Sequence, residues 1–253
     1  ATAGNHNVRL GGDAPGPRAF RRQAQRECRA GAGGALEPVA AGQRHGFARL
    51  STWKLRETGE EPANCHASTA EACIRMVLEG TPDNRPDWPH PFTLALAVSL
   101  GSDSLSIRLS VTNNGETEPF TFTAALHTYL AVGDISNTSL QGLEGCGYLD
   151  ATRGNAPLLQ RERDLRFEGE VDRVYLSAPS ELLLRDGDDG LRVLQAGFRD
   201  TVVWNPGSDV ARQIGDLSAG DYRRFVCVEA AAVGTPIGLA PGESWHGSQT
   251  LIG

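Results

Sequence analysis

The sequence predicts an all-β protein, a large antiparallel β-sandwich over residues 42–253 with any helices short. Three observations carry this. Apolar residues recur with period two in several consecutive stretches. Clusters of Gly, Pro, Asn and Asp separate those stretches at short spacing. A helical repeat of comparable length is missing from the same region. Many short strands joined by turns are what two packed antiparallel sheets require.

In chain order, residues 1–41 come first and differ from the rest. They are rich in Gly, Ala, Arg and Pro and hold few large apolar residues (Val8, Leu10, Phe20, Leu36, Val39). Such a segment cannot bury enough surface to offset its ordering entropy. It reads as an atypical, disordered N-terminal segment, with one short helix conceivable at "FRRQAQRECRA". From His45 the pattern turns to β. "ACIRMVLEG" (72–80) is strand-like, and "PFTLALAVSL" (91–100) sets Phe92, Leu94, Leu96 and Val98 on one face. "SLSIRLSVTN" repeats the pattern through Leu105, Ile107, Leu109 and Val111. "NNGE" then supplies a turn, with glycine expected at positive φ. "PFTFTAAL", "LRFEGEVDRVYLSAP", "SELLLRD", "LRVLQAGF", "TVVWNP", "YRRFVCVEAAA" and "ESWHGSQTLI" follow as strands, with "DGDDG" (186–190) as a hairpin turn.

Bulk properties exclude several classes. The chain has 253 residues, 40% hydrophobic and 22% charged, with a net charge of −7. That length suits one large sandwich domain and is ample for a core. An acidic balance gives no reason to expect nucleic acid or a membrane as partner. The apolar runs are too short for a transmembrane helix, and the start lacks the pattern of a secretory signal. Five irregularly spaced cysteines without a CxxC read as reduced thiols, and Cys65-His66 with Cys73 lacks the second ligand pair of a metal site. Of 24 basic residues only Lys54 is lysine, a bias of coding rather than of chemistry. The first 44 residues carry seven arginines against three acids, so a basic arm or transit sequence is an alternative to plain disorder there.

The motifs of nucleophile elbows, phosphate loops, zinc proteases and dinucleotide folds are all missing from the sequence. What remains is a set of polar residues at strand ends: His45, Arg49, His127, Asp172 and Glu229. Strand ends and adjoining loops present side chains from a rigid scaffold. Alone, each has a bland reading. His127 could be a hydrogen-bonded edge histidine, and Asp172 could pair with neighbouring Arg173 on an exposed strand. Glu229 is harder to dismiss. In "FVCVEAA" alternation puts Phe225, Cys227 and Glu229 on one face and Val226 and Val228 on the other. A strand apolar on both faces is buried, and a buried carboxylate needs a reason. The residues themselves leave a functional and a structural Glu229 equally open.

Taken together, "HGFAR" (45–49), "WPHPF" (88–92), "LHTYLAVGDI" (126–135), "GLEGCGYLD" (142–150), "EVDRVYLSAP" (170–179), "VVWNP" (202–206), "YRRFVCVEAA" (222–231) and "PGESWHGSQTL" (241–251) resemble the glucose-6-phosphate 1-epimerases. These are the hexose-6-phosphate mutarotases of the aldose 1-epimerase superfamily. The order and spacing of the segments carry the resemblance more than any one of them. It implies a galactose-mutarotase-like sandwich and interconversion of α and β glucose 6-phosphate by acid–base ring opening. His127 would be the general acid and Glu229 the general base, on opposite sides of the reacting centre. Asp172 would bind sugar hydroxyls, and His45 and Arg49 would line the sugar and phosphate site. The chemistry needs no metal or redox cofactor. The implied partner is a hexose 6-phosphate, with no nucleic acid and no membrane, for a monomer in the cytoplasm, or in a plastid if the basic start belongs to a transit sequence. The departures are local. The family's first strands and its "RGGIP"-type arginine are missing or replaced in 1–41, Arg44 stands for a usual glutamine, and Gly207 for a usual tryptophan. They favour, as the alternative, a truncated or non-catalytic relative that binds a sugar phosphate. A structural interaction domain has no use for His127, Asp172 and Glu229 together.

Overall fold

The computed structural model describes residues 7–11, 46–59, 72–85, 88–218 and 220–253, with backbone alone at 7–11 and 57–59. Its strands are β1 (Asn7–Gly11), β2 (Lys54–Gly59), β3 (Ala72–Gly80), β4 (Phe92–Leu100), β5 (Ser104–Asn113), β6 (Phe120–His127), β7 (Tyr129–Ala131), β8 (Thr138–Gln141) and β9 (Gly147–Asp150). They continue as β10 (Ala156–Leu159), β11 (Asp164–Arg166), β12 (Val171–Tyr175), β13 (Glu181–Asp186), β14 (Asp189–Ala196), β15 (Asp200–Asn205), β16 (Phe225–Leu239) and β17 (Ser244–Ile252). Among the described residues, helix is confined to α1 (Gly207–Ala211) and a few 3-10 turns, and the predicted all-β sandwich is what they form. Among the described residues, no helix is long and apolar enough to cross a membrane.

The strands make two antiparallel sheets. The first runs β1-β6-β16-β15-β12-β9-β10, with β7 also paired to β16. The second runs β11-β8-β13-β14-β17-β5-β4-β3-β2. Period two explains how they stack. Phe92, Leu94, Leu96, Ile107, Leu109 and Val111 of the second sheet meet Phe122, Ala124, Leu126, Ala230 and Ala232 of the first in one buried cluster. Val203, Val226 and Val228 meet Leu182, Leu184, Val193 and Leu251 in another. The opposite face of the first sheet is apolar too: Ala125, Leu149, Val174, Val202, Ala231 and Val233 form a third cluster there. That is why the central strand β16 is buried on both faces.

Two turns show how local chemistry sets the chain path. Asp186 and Asp189 pair across the β13–β14 hairpin, and Gly187 takes φ of 63° between them, as the sequence led one to expect. The turn after β5 is built differently from expectation, because Gly115 is not among the positive-φ glycines. Asn113 makes it instead. Its Oδ1 accepts from Gly115 N, and its Nδ2 donates to the carbonyls of Glu118 and Leu239. Glycine is favoured at 115 for space, since a Cβ would lie 3.0 Å from that Oδ1.

β16 contains a register slip. Ala232 opposes Ala124 of β6, but the next paired residue, Ile237, opposes Phe122. Buried Asp200 collects the amides freed there, accepting from Val233 N at 2.9 Å and Gly234 N at 2.8 Å.

Two expectations change. β1 lies within the segment expected to lack regular structure, yet it pairs along β6, Asn7 opposite His127. A stretch of five residues is too short for alternation to stand out. The remainder of 1–41 lies outside the described residues. Cys73 is disulfide-bonded to a partner outside the described residues, so the reading of five reduced thiols fails there, while Cys146 and Cys227 are free.

Candidate active site

His127 is the last residue of β6, and the backbone turns sharply around it. Thr128 N donates to Leu126 O at 2.9 Å, closing a three-residue turn centred on the histidine. The ladder to β16 continues past the turn in the same register, Leu126 with Ala230 before it and Tyr129 with Cys227 after it. Glu229 therefore stands directly across from His127. Their side chains meet, with Nδ1 of His127 3.2 Å from Oε1 of Glu229. The imidazole is 8% exposed and the carboxylate not at all. The sequence reading set acid and base on opposite sides of a reacting centre. Here they touch, because opposed residues in an antiparallel pair hold their Cβ atoms only about 4.5–5.5 Å apart.

The same two-residue repeat brings aromatic rings to the pair. Tyr129 lies flat against His127, with centroids 4.9 Å apart and planes 6° from parallel. Trp204 meets the imidazole edge-on at 6.0 Å. Phe225 closes the group, 5.2 Å from Tyr129 and 5.9 Å from Trp204. These separations fall in the favourable range for offset and edge contacts. The rings exclude water around the imidazole, and in a low-dielectric site each charge interacts more strongly. Trp204 is held from behind. Asn205, 1% exposed, donates to the carbonyls of Tyr222 and Phe225 and accepts from Gly207 N, fastening the 206–224 loop to the start of β16.

Asp172 of β12 opposes Trp204, and Val174 opposes Val202, which opposes Glu229. Asp172 thus shares the face of the His127–Glu229 pair, two strand spacings from β16, or roughly 10 Å. It is half-buried. The pairing of Asp172 with Arg173 on an exposed strand does not occur. Arg173 points to the other face, donates to Gln160 Oε1 at 3.1 Å and covers the Tyr148 ring at 4.6 Å. Arg49 is exposed in the 3-10 turn Ala48–Leu50, and no hydrogen bond or ion pair joins it to His127, Asp172 or Glu229 among the described residues. His45 lies outside the described residues.

So the structure brings together His127 and Glu229 and sets Asp172 on the same face, while Arg49 sits in a turn next to β1, the strand that pairs along β6 with Asn7 opposite His127. Sequence reasoning passed over Tyr129, Trp204 and Phe225. A signal was present for Trp204 and Phe225, which lie at even offsets from Val202 and Glu229 on strands already identified, whereas Tyr129 lies in a short strand beyond the end of the expected one.

An antiparallel two-sheet sandwich with a buried imidazole–carboxylate pair on the outer face of one sheet defines a class of fold and site. The aldose 1-epimerase family model matches residues 37–251, and the chain belongs to that family. A Cenchrus ciliaris protein provisionally named glucose-6-phosphate 1-epimerase is 37% identical over 214 residues, 83% of this chain and 64% of the relative. An Escherichia coli K12 protein of the same provisional name is 32% identical over 190 residues, 74% of this chain and 60% of the relative. The chain thus spans less than two thirds of the length of these curated relatives. Among solved structures, a provisionally assigned mutarotase from Salmonella typhimurium superposes with a TM-score of 0.74 at 27% identity, covering 86% of this chain and 69% of the other.

Proposed function

We propose that the chain is a hexose-6-phosphate 1-epimerase that interconverts the α and β anomers of glucose 6-phosphate. The Glu229 carboxylate takes the proton of the C1 hydroxyl. The O–H electron pair becomes the second bond of a C1 carbonyl, and the bond from C1 to the ring oxygen breaks. That oxygen takes a proton from the His127 imidazolium. The open aldehyde rotates about C1–C2, and closure from the other face returns both protons by the reverse steps. The two reacting oxygens are both bonded to C1, so adjoining groups can reach both without straddling the ring. General acid–base assistance of this kind contributes about 10²–10⁴-fold per group. Asp172 would hold sugar hydroxyls. Arg49 and His45 would receive the phosphate, for which a guanidinium fork is well shaped. The reaction as written consumes no cofactor.

The observation that carries this reading is the 3.2 Å contact between His127 and Glu229 on one buried face of a chain in this family. The substrate is suggested by the names of the two relatives. The test is a coupled assay that follows the α anomer into the β form against the spontaneous rate. Acceleration by the purified chain, lost in Glu229→Gln and His127→Asn, supports it, and a rate equal to the spontaneous one refutes it. A second reading is favoured by the local departures from the family pattern, Arg44 for a usual glutamine and Gly207 for a usual tryptophan. It is a family member that binds a sugar phosphate without turnover, and titration calorimetry would find binding with no acceleration. Monomeric state and a cytoplasmic or plastid location belong to the same proposal, checked by gel filtration and by imaging of a tagged chain.

A further inference from the structure

Between the two apolar clusters that join the sheets lies a polar step. Along β17, Trp245 packs with the first cluster and Leu251 with the second. Between them on the inward face stands Gln249, 1% exposed. Gln195 of β14, half-buried, opposes it in register. A buried primary amide is costly unless its donor and acceptor are satisfied. Gln249 crosses to the other sheet to satisfy both. Its Nε2 donates to Val228 O at 2.9 Å, and its Oε1 accepts from Thr128 Oγ1. Thr128 follows His127 and Val228 precedes Glu229. Val228 N in turn donates to Thr128 O at 3.3 Å, so one amide closes a ring of hydrogen bonds across the two strands beside the acid–base pair.

We infer that Gln249 is a positioning residue, holding the backbone turn at Thr128 against β16 and so fixing His127 relative to Glu229. It touches neither side chain and lies on the far face of the sheet. Its action runs through the backbone at 128 and 228. An apolar residue would fill the core equally well, but the sharp turn at His127 interrupts regular pairing and needs a tie from behind. Preorganised geometry of this kind matters because displacement of a catalytic group by about 1 Å can cost as much as 10²-fold in rate. The rate readout rests on the proposed epimerase reading, whereas the geometry readout does not.

The test uses the full chain with Gln249→Met, Thr128→Val and the two combined. Gln195→Met is the control, because it burdens the same polar step through Thr201 and touches neither Thr128 nor Val228. Two quantities are read: the midpoint of the His127 ring titration by NMR, and kcat and KM across pH. Among the described residues, Glu229 and Tyr129 are the titratable groups in contact with the ring. Expected in Gln249→Met are a midpoint moved by roughly half a unit or more and a kcat about tenfold lower with KM within about threefold. Thr128→Val should reproduce part of this, and the double variant should do no more than Gln249→Met alone. If Gln249→Met fails to fold, Thr128→Val, which keeps the amide and the side-chain shape, gives the same reading. An unmoved midpoint in both variants overturns the inference, as does an equal movement in Gln195→Met. A wild-type rate no faster than the spontaneous one overturns the epimerase reading alone, and the titration still decides the role of Gln249.

Discussion

Replacing Glu229 by glutamine separates a chemical role from a structural one. At 3.2 Å and an effective dielectric near 20, a carboxylate and an imidazolium attract by about 5 kcal/mol. Both groups are almost fully enclosed, and removing each charge from water costs several kcal/mol. The two terms nearly cancel, so the pair adds little net stability. Glu229→Gln keeps the shape and an acceptor toward His127, and the ring can discharge its proton. Unfolding in urea should therefore shift by no more than about 2 kcal/mol. Interconversion of the anomers should fall by at least ~10², the low end for loss of a positioned base. The two measurements are made on one preparation, by denaturant titration and by the coupled anomer assay. A loss of 3–5 kcal/mol, roughly what breaking a structural buried ion pair costs, would show that the carboxylate is there to hold the fold. A stable variant with undiminished rate would remove Glu229 from the chemistry.

Three further outcomes follow from sites elsewhere. Asp134 is held down to about 2 by the amide of Ser136, then by Arg223 and the Ser136 hydroxyl, so its contribution is complete above the ordinary carboxyl value of 3.8 and fades as pH falls toward 2. Thermal melts of Asp134→Ala should lie below wild type at neutral pH and converge with it in that acid window. His90, packed between Trp88 and Phe120, is lowered from 6.5 by burial against a smaller opposing pull from Glu118. Wild type should therefore lose stability as pH drops below 6.5, and His90→Phe should lose less. Gly197 has φ of 76°, and a Cβ there would fall 2.1 Å from the backbone oxygen of His246, so Gly197→Ala should destabilise by more than about 2 kcal/mol in urea titration.

How far the sequence reached depended on what each residue's role leaves visible along the chain. β4 and β5 were plain because large apolar residues alternate with small or polar ones for nine and ten residues. Glu229 was plain because a carboxylate interrupts a two-sided apolar run. β1 was invisible, since it joins its sheet through ladder hydrogen bonds to β6 over only five residues. The contact of His127 with Glu229 follows from a register that no local pattern encodes, as two strands 102 residues apart must first find each other. Trp204, Tyr129 and Phe225 looked like ordinary core aromatics until that register placed them around the imidazole. Gln249 gave no signal at all, because an isolated glutamine in "GSQTL" is commonplace and its partners lie on the other sheet.

The slip in β16 has a consequence for how this strand tolerates change. Residues up to Ala232 keep one phase with β6, and those from Ile237 keep another, with the amides at 233 and 234 anchored on Asp200 rather than on β6. The strand behaves like a beam with an expansion joint. A residue gained or lost beyond the joint re-phases only the far length, Ile237–Leu239, while Glu229 stays opposite His127. The near length has no such relief, because a single insertion between Val228 and Ala232 would turn every following side chain to the other face. Length variation in this strand should therefore be absorbed on one side of Asp200 and rejected on the other.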